Sequence, residues 1–485
     1  MTMKVKTLEL APGLTIARVL NGLWQIADME RDGKTLDLDE TARSMAPYAK
    51  AGLTTFDMAD HYGSAEIIAG KFKKKYAGDE SIQLFTKWVP TPGPVSKDDV
   101  KGAVTRSLER LQSERIDLMQ FHAWNYADPR WLDCLYWLQE LKQEGLIHHL
   151  GLTNFDTAHL RIVVNSGITV VSNQLCYSVL DQRAAKNMTA FCRQHDIKLL
   201  AFGTIAGGFL TETWLNQPEP NEDKIITWSQ MKYKRFIDAA GGWKVFQQFL
   251  QMIDALAKRN GVSISNIVTR YILEQPAVGG VIIGTRLGMS QHIQENLRLF
   301  DFEWSNESKA KIQDAISLLT PIPGDCGDEY RKPPFLTASG DLSHHVQNLP
   351  APFPTKKGTD GRSKALSGTV WEDLAGFSRA VRKDDRILIS GTTATHGNRS
   401  IGGQDPVAQT HFVIDKIEGA LQSLGGKLDQ VVRTRIFIRN ISDWEAIARV
   451  HGERFKEIQP ANTMVRADLI GDEYLVEMEA EAIVG

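Results

Sequence analysis

Cysteine is scarce in this sequence, and its cysteines are not spaced for cross-linking or metal binding. The chain has four of them, with no CxxC pair and no paired histidines nearby: Cys134, Cys176, Cys192 and Cys326. Disulfide frameworks and zinc sites both need short characteristic spacings. We therefore expect reduced cysteines and no metal. The adjacent His344 and His345 form no HExxH or Cys/His pattern and do not change this expectation.

Long apolar runs and an excess of one charge are also missing. No run approaches the roughly 18 apolar residues of a membrane span. Lys4 and Lys6 are followed by no apolar segment typical of a secretory signal peptide. With 56 basic and 59 acidic residues the net charge is -3, so no basic excess attracts a phosphate backbone. These absences favour a cytoplasmic protein that binds neither membranes nor nucleic acid.

A stretch rich in Pro, Gly, Ser and Thr divides the 485 residues. Residues 319–365 lack sustained periodicity, which is typical of a linker or an extended tail. A chain of this length exceeds the size at which one hydrophobic core stops growing. We predict a first domain over residues 1–320, a linker or extended tail over 321–365 and a second domain over 366–485.

The first domain alternates short apolar runs with amphipathic helical stretches. Eight runs have the character of buried strands: residues 18–24, 53–57, 82–87, 116–122, 148–152, 169–173, 198–202 and 280–284. Eight strand–helix units in this length are what a closed (β/α)8 barrel, or TIM barrel, requires. An open doubly wound sheet is the alternative, but no GxGxxG motif follows any strand. We predict an α/β barrel.

The second domain has a different order of elements. Strand patterns occur in RILISGTTA, QVVRTRIFIRN and EYLVEMEAEAIVG, and helical patterns in VAQTHFVIDKIEGALQSLGG and DWEAIARVHGERFKEI. Two helices on one face of a mixed sheet account for this order with the fewest elements. We predict a smaller α+β domain.

Four reactive side chains fall at the C-terminal ends of consecutive predicted strands. Asp57 ends the second strand, and Tyr62 follows it. Lys87 ends the third strand and His122 the fourth. Each has an ordinary explanation as a loop cap, a surface lysine or a packed histidine, but barrel enzymes carry their catalytic groups at this end.

The chemistry of the four groups suits one task. A tyrosine with an unperturbed pKa of about 10 is a poor proton donor near neutral pH, and a lysine ammonium beside it lowers that pKa. An aspartate paired with the lysine keeps it charged. A histidine can orient a carbonyl oxygen. The set therefore predicts proton transfer to a carbonyl oxygen while hydride reaches its carbon.

These residues and further motifs resemble the aldo-keto reductase family over residues 19–316. The matching motifs are FDMADHYGSAE, Gly151-Leu152-Thr153-Asn154-Phe155, Asn173-Gln174, Ala201-Phe202-Gly203, Gly284-Thr285-Arg286 and Glu295-Asn296. The resemblance implies a catalytic tetrad of Asp57, Tyr62, Lys87 and His122. It also implies a cofactor-binding set of Gly22, Trp24, Thr153, Asn154, Gln174, Phe202, Gly203, Gly284, Arg286, Glu295 and Asn296.

The resemblance gives some of these residues individual roles. Asn154 and Gln174 are implied to hold the nicotinamide carboxamide, and Phe202 to stack on the nicotinamide ring. Arg286 is implied to reach the adenosine 2′-phosphate and Asn296 the adenine. A guanidinium suits that phosphate, so the implied cofactor is NADP(H), with NAD(H) as the alternative.

Two positions depart from the family's pattern. Thr153 replaces the usual serine and keeps a hydroxyl, whereas Gly203 replaces a serine and loses one, which alters the expected phosphate contacts. The predicted function is NADPH-dependent reduction of an aldehyde or ketone with Tyr62 as general acid. Oxidation of the corresponding alcohol or sugar would use the same residues. The partner is a small-molecule carbonyl or alcohol.

The second domain resembles the Rid family, also called YjgF or L-PSP, from residue 371 to the end. The matching segments are AGFSRAVRKDDRILISGTTA, Gly402-Gly403, Ala408-Gln409-Thr410, DQVVRTRIFIRN and Pro460-Ala461-Asn462-Thr463. The resemblance implies a chorismate-mutase-like fold and homotrimers with small-ligand clefts between subunits. The best-known activity of that family is hydrolysis of enamines and imines.

The arginine that clamps the substrate carboxylate in that family corresponds to Asn462. Arg466 lies four residues on, about 13 Å along a strand, and Glu479 matches the family's glutamate in the last strand. An amide cannot replace a bidentate carboxylate clamp. We therefore expect the second domain mainly to oligomerise the chain or bind a ligand. A metabolite-sensing assembly, and a bifunctional reductase with an enamine or imine hydrolase, stay as alternatives.

Overall fold

Most of the β-structure belongs to two sheets, one in each half of the chain. The computed structural model describes residues 5–333, 335–337 and 342–485. The strands of this described part are β1 (Thr7–Ala11), β2 (Leu14–Ala17), β3 (Val19–Gly22), β4 (Thr55–Asp57), β5 (Gln83–Trp88), β6 (Ile116–Phe121), β7 (Ile147–Thr153), β8 (Ser172–Cys176), β9 (Lys198–Phe202), β10 (Val278–Gly284), β11 (Thr355–Lys357), β12 (Ser363–Ala365), β13 (Ala380–Lys383), β14 (Arg386–Thr393), β15 (Thr395–His396), β16 (Arg399–Ser400), β17 (Val431–Ile438), β18 (Ala461–Arg466) and β19 (Val476–Ile483).

Helices separate the barrel strands and cover one face of the second sheet. Those in the described part are α1 (Trp24–Met29), α2 (Leu38–Arg43), α3 (Ala46–Lys50), α4 (Ala65–Lys75), α5 (Lys97–Leu111), α6 (Arg130–Gln143), α7 (Thr157–Asn165), α8 (Asn187–Gln194), α9 (Trp228–Ala239), α10 (Gly242–Asn260), α11 (Ile264–Leu273), α12 (Ile293–Leu297), α13 (Asn306–Ile316), α14 (Asp328–Arg331), α15 (Val370–Ala375), α16 (Pro406–Ser423) and α17 (Trp444–Phe455). In α5, Ser96 and Asp99 cap the first turn reciprocally, and Val100, Val104 and Leu111 are buried at helical spacing.

The predicted (β/α)8 barrel is confirmed. The strands β3 to β10 run parallel, and β10 pairs with β3 to close the ring, with Val281 opposite Val19. Each predicted run contains or overlaps one barrel strand. The largest shift is at β8, which spans Ser172–Cys176 instead of residues 169–173, so that Gln174 lies inside the strand.

The N-terminal hairpin closes one end of the barrel. The strands β1 and β2 pair antiparallel. Leu10, Leu14 and Ile16 from this hairpin pack with Phe85 and Leu118 from the barrel strands in one buried cluster. The barrel interior is therefore reached from the other end, where the strands have their C-termini.

The predicted α+β domain is also confirmed. Its sheet has the order β11-β12-β13-β14-β19-β17-β18, with β17 and β18 parallel and the other neighbours antiparallel. The helix α16 packs on β14, β19 and α17. Buried residues alternate with exposed ones along β14 and β19, which leaves the opposite face of the sheet uncovered by these helices.

The segment 321–365, predicted as a linker or an extended tail, packs against both domains where the structure describes it. Its helix α14 carries Glu329, which forms a buried ion pair with Arg183 at 2.8 Å. Arg183 also pairs with Asp181 at 2.7 Å, so one guanidinium bridges the segment and the barrel. Further on, β11 and β12 already belong to the second sheet. Charge pairing and sheet pairing thus extend both domains into a stretch that lacks periodicity.

A buried charge cluster joins the barrel to α16. The ring of His159, on α7, lies between Asp156 at 2.6 Å from Nδ1 and Asp415, on α16, at 2.9 Å from Nε2. Arg454 of α17 pairs with the same Asp415 at 2.7 Å. Burial alone would lower the pKa of His159, but the two carboxylates outweigh it and raise the pKa to about 9. His159 is therefore a cation at neutral pH, shared by the two domains.

A second group of contacts joins the domains away from this cluster. His396, in the β15–β16 hairpin, lies 2.8 Å from Asp133 on α6. Arg161 on α7 pairs with Asp405 at 3.0 Å, just before α16. The two domains are thus held together by several separate polar contacts.

The described ranges contain neither a membrane-spanning helix nor a cluster of metal-ligating side chains. No helix there is both long enough and apolar enough to cross a bilayer. No group of three or more His, Cys, Asp or Glu side chains in the same ranges is placed to hold a metal ion. The four cysteines are buried and free.

Candidate active site

A cavity of about 410 Å³ opens at the C-terminal ends of the barrel strands. All four predicted catalytic residues line it: Asp57, Tyr62, Lys87 and His122. So do nine of the predicted cofactor residues: Gly22, Trp24, Thr153, Asn154, Gln174, Phe202, Gly203, Gly284 and Arg286. The fold therefore gathers residues from all eight barrel strands and the loops that follow them around one space.

A buried ion pair lies in the wall of this cavity. Lys87 Nζ donates to Asp57 Oδ2 at 2.6 Å, and each side chain is 4% exposed. The other oxygen, Oδ1, accepts from Gln120 Nε2 at 3.0 Å and from Gln174 Nε2 at 2.7 Å. Burial lowers the pKa of Lys87, and the Asp57 carboxylate opposes that shift. Asp57 is thus fixed by three donors while it compensates the lysine charge.

Tyr62 lies beside this ion pair. Lys87 Nζ is 5.1 Å from the centroid of the Tyr62 ring. The ring also meets Trp24 edge-on, with 4.9 Å between centroids. The turn that carries it is closed by a backbone bond of 3.1 Å from Tyr62 N–H to the Ala59 carbonyl. The structure thereby brings Asp57, Lys87 and Tyr62 together, as the predicted tetrad requires.

His122 presents one ring nitrogen to the cavity. Nδ1 lies 3.3 Å from the carbonyl oxygen of Thr153, which can only accept, so Nδ1 carries the hydrogen. Burial holds the pKa of His122 well below its usual range, and Arg331 adds to the shift. Nε2 is buried with no hydrogen-bond partner among the described residues. In this tautomer Nε2 can only accept a hydrogen bond, whereas orienting a carbonyl oxygen, the predicted role, needs the other tautomer, in which Nε2 donates.

Asn154 and Gln174, predicted to hold the same carboxamide, differ in their surroundings. Asn154 adopts a left-handed φ of 60°, and its N–H donates to the Gln174 carbonyl at 2.7 Å. Its Oδ1 is buried without a partner in the described part of the chain, and it can accept from a ligand amide. Gln174 Nε2 is engaged instead by Asp57 and by Gln120 Oε1, at 2.7 and 2.9 Å. Support of Asp57 is a role of Gln174 that the sequence did not predict.

Gly203 has a steric reason to replace serine. Its φ is 80°, and a Cβ at this position would lie 2.3 Å from Tyr233 Oη. Tyr233 belongs to α9, so a side chain at residue 203 would displace the Tyr233 ring, and the φ of 80° is strained for any residue other than glycine. The turn after Phe202 and the start of α9 are therefore packed against each other.

Arg286 lies in the cavity wall with capacity to bind an anion. Its Nη2 is 3.8 Å from Asp28 Oδ2, and its side chain is 34% exposed. Its Nε is buried with no partner among the described residues. The predicted Glu295 and Asn296 are absent from the described lining of the cavity. Glu295 accepts from the Ser263 hydroxyl, and Asn296 is buried.

The segment after the barrel supplies wall residues that the sequence did not predict. Tyr330, on α14, lines the cavity with its ring centroid 5.6 Å from that of His122. Its hydroxyl bonds to Lys232 Nζ at 2.7 Å, and Lys232 also lines the cavity. The neighbours of Tyr330 hold it in place, because Glu329 pairs with Arg183 and Arg331 donates to the Asn154 carbonyl. The sequence signal that could have revealed this wall was the Glu329-Tyr330-Arg331 segment, which places two charges beside a tyrosine in an otherwise Pro- and Gly-rich stretch.

The three candidate cleft residues of the second domain do not form one site within the chain. Asn462 Nδ2 donates to Thr434 Oγ1 at 2.9 Å, and Thr434 is buried on the helix-covered face. Glu479 pairs with Arg435 at 3.0 Å. Because Thr434 and Arg435 are neighbours in one strand, they point to opposite faces of the sheet. Arg466 shares the face of Asn462, so within one chain Glu479 lies on the other side of the sheet, and a cleft between subunits stays a prediction.

Comparison with known proteins finds relatives for both parts of the chain. The profile of the Aldo/keto reductase family matches residues 18–317. The profile of Endoribonuclease L-PSP matches residues 370–484. Both resemblances seen in the sequence are confirmed.

Individual relatives match one domain each. Aflatoxin B1 aldehyde reductase member 2 of Rattus norvegicus is 28% identical over 288 residues, covering 55% of this chain and 76% of that protein. An uncharacterized protein of Streptomyces coelicolor is 36% identical over 123 residues, covering 25% of this chain and 92% of that protein. The solved glycerol dehydrogenase of Gluconobacter oxydans is 20% identical with a TM-score of 0.54, covering 67% of this chain and 98% of that one. That likeness shows the barrel fold alone.

Removal of the Asp57 charge should destabilise the barrel strongly. In Asp57→Asn, the buried Lys87 ammonium loses its counter-ion, and breaking a buried pair in this way costs about 3–5 kcal/mol. We expect a loss of this size in the free energy of unfolding, measured by urea denaturation. Asp39→Asn is the matched control, because Asp39 pairs with Lys71 at the surface and should matter little. Equal small losses in both variants would contradict the structural importance of the buried pair.

Proposed function

Because the chain belongs to the aldo/keto reductase family, we propose that its barrel reduces an aldehyde or ketone with NADPH. Oxidation of the corresponding alcohol or sugar would use the same residues in reverse. The observation that carries the proposal is the buried Asp57–Lys87 ion pair beside the Tyr62 ring in the cavity wall. This arrangement supplies a tuned proton donor at a site large enough for small molecules.

The residues present fit a nicotinamide dinucleotide. Asn154 Oδ1 and Arg286 Nε are buried without partners among the described residues, and both residues line the cavity. Asn154 would accept from the carboxamide and Arg286 would hold the 2′-phosphate, while Phe202 would stack on the nicotinamide. When bound, the dinucleotide supplies the hydride for the carbonyl carbon.

Proton transfer falls to Tyr62. Its hydroxyl gives a proton to the carbonyl oxygen, and the Lys87 ammonium favours the phenolate that remains. Burial lowers the pKa of Lys87 and Asp57 opposes this shift, while the two glutamines behind Asp57 fix the orientation of its carboxylate. In the reverse direction the same phenolate accepts the proton of the alcohol.

Tyr62→Phe should abolish most of the carbonyl reduction. The ring and its packing on Trp24 stay, but the proton donor is lost, so kcat should fall by about 10²–10⁴-fold. The rate is measured from NADPH absorbance with a panel of aldehydes and ketones, and NADPH affinity by fluorescence titration. The affinity should change little.

Tyr136→Phe is the matched control, because the Tyr136 hydroxyl donates to the Ser166 carbonyl outside the cavity. A Tyr62→Phe enzyme as fast as Tyr136→Phe would refute the acid assignment. Tight NADPH binding by the wild type, with no turnover on the whole panel, would favour the metabolite-sensing alternative instead.

Arg286→Gln should weaken NADPH binding selectively. A charged hydrogen bond to a phosphate contributes about 1.5–3 kcal/mol, so the KM for NADPH should rise about 10- to 100-fold while that for NADH stays nearly constant. Arg31→Gln is the control, since Arg31 also approaches Asp28, at 3.9 Å, but is not part of the described cavity wall. An equal rise of KM for NADPH and for NADH would show that Arg286 does not bind the 2′-phosphate.

We propose that the second domain assembles the chain into a trimer. Leu388, Val432 and Ile483 lie on neighbouring strands and are 48%, 43% and 49% exposed. The edge strand β18 is also largely exposed on both faces. A second copy of the chain would cover this apolar sheet surface.

Light scattering should give the wild-type chain three times its mass of 54.2 kDa. Leu388→Glu should shift the chain toward monomers, because a buried interface does not tolerate an unpaired carboxylate. Met289→Glu, at an exposed residue of the barrel, is the control and should stay trimeric. A monomeric wild type at micromolar concentration would contradict this assembly.

A further inference from the structure

One guanidinium fixes two loops at the edge of the candidate active site. Arg331 Nε donates to the Ala123 carbonyl at 3.0 Å, and Nη2 donates to the Asn154 carbonyl at 2.7 Å. Ala123 directly follows His122. Asn154 holds a left-handed φ of 60°, a conformation that a carbonyl bond of this kind helps to maintain. The positions of His122 and Asn154 therefore both depend on Arg331.

Arg331 is in turn packed on an aromatic ring. Its Cζ lies 4.2 Å from the centroid of the Tyr126 ring. The same ring stacks on the imidazole of His159, with 3.3 Å between centroids and an interplanar angle of 7°. Tyr126 thus contacts two cationic groups, and its placement depends on both.

The second domain controls the charge around His159. Asp415 of α16 contacts Nε2, and Arg454 and His411 of the same domain lie close to Asp415. From the barrel, Asp156 contacts Nδ1. A Cβ at Gly419 of α16 would lie 2.2 Å from the Ala127 carbonyl, so the helix also touches the loop that carries Tyr126.

We infer that the second domain is a positioning part of the reductase site, acting through Asp415, His159, Tyr126 and Arg331 on Asn154 and the loop after His122. This inference rests on the proposed function. Removal of Asp415 leaves the His159 cation with one carboxylate while the Arg331 cation stays on the same ring. The repulsion between the two cations is then less compensated, and Arg331 loosens its hold on the two carbonyls.

The test compares Asp415→Asn with a matched interface variant in the full chain. Asp133→Asn alters a different polar contact between the domains, the 2.8 Å contact of Asp133 with His396. Affinity for NADPH is measured by fluorescence titration, together with kcat and KM. Backbone hydrogen exchange of residues 122–127 and 153–156 is measured without nucleotide.

Asp415→Asn should weaken NADPH binding and lower kcat by about 3- to 30-fold and speed exchange in both loops. Asp133→Asn should match the wild type in NADPH affinity, in kcat and in the hydrogen exchange of both loops. Tyr126→Leu, which removes the shared ring but keeps the interface charges, should reproduce the Asp415→Asn losses. Tyr126→Phe keeps the ring and should restore wild-type values. If Asp415→Asn fails to fold, Tyr126→Leu tests the inference in its place.

Distinct outcomes overturn distinct statements. If the wild type binds nicotinamide nucleotides and Asp415→Asn or Tyr126→Leu binds them equally well with unchanged loop exchange, the inference is wrong and the proposed function stands. Equal losses in Asp133→Asn would also overturn it, because any interface damage would then suffice. If the wild type binds neither NADPH nor NADH, the proposed function fails and this inference fails with it.

Discussion

The buried pairing of Lys87 with Asp57 constrains the rest of the site. Two charges withdrawn from water cost several kcal/mol each unless further hydrogen bonds satisfy them. Here the carboxylate accepts from Lys87 and from two glutamines of β6 and β8. Those donors reach Asp57 only if the strands keep their register, in which Lys87 lies opposite Gln120. The register of the barrel strands and the electrostatics of the candidate site are therefore one requirement.

The barrel alone does not complete the cavity. Tyr330 comes from the segment after the barrel, and it is held between Glu329 and Arg331, which bond to barrel groups. Helix α9 contributes Lys232 and also packs Tyr233 onto the Gly203 turn. The described wall is thus assembled from strand ends, a long loop and a C-terminal extension, and the last two parts are the ones that differ most freely between barrels.

Much of the fold and of the candidate site could be predicted from the sequence. The contacts that could not be predicted join residues far apart in the chain. Buried parallel strands need continuous apolar runs, so all eight barrel strands were visible, and strand ends located Asp57, Lys87 and His122. The role of Gln174 was missed because a one-dimensional pattern does not show that its amide reaches across the barrel to Asp57. The absence of serine at Gly203 was visible, but its reason, the hydroxyl of Tyr233, lies 30 residues away in sequence. The contacts of segment 321–365 could not be predicted because they come from ion pairs and sheet pairing, which leave no periodicity in the sequence.

The burial of α16 explains why the two domains act as one body. A helix that covers a sheet normally keeps a polar face in water, yet α16 is buried along most of its length, including His411, Asp415 and Lys416. Lys416 bonds to carbonyls of its own domain, at 2.6 Å for Thr395. Asp415 instead needs both Arg454 and the barrel's His159. Separation of the domains would therefore leave a charge on each side without one of its partners. Electrostatics and apolar packing together set the position of the second domain against the loops of the cavity, because apolar residues of both domains share one buried cluster.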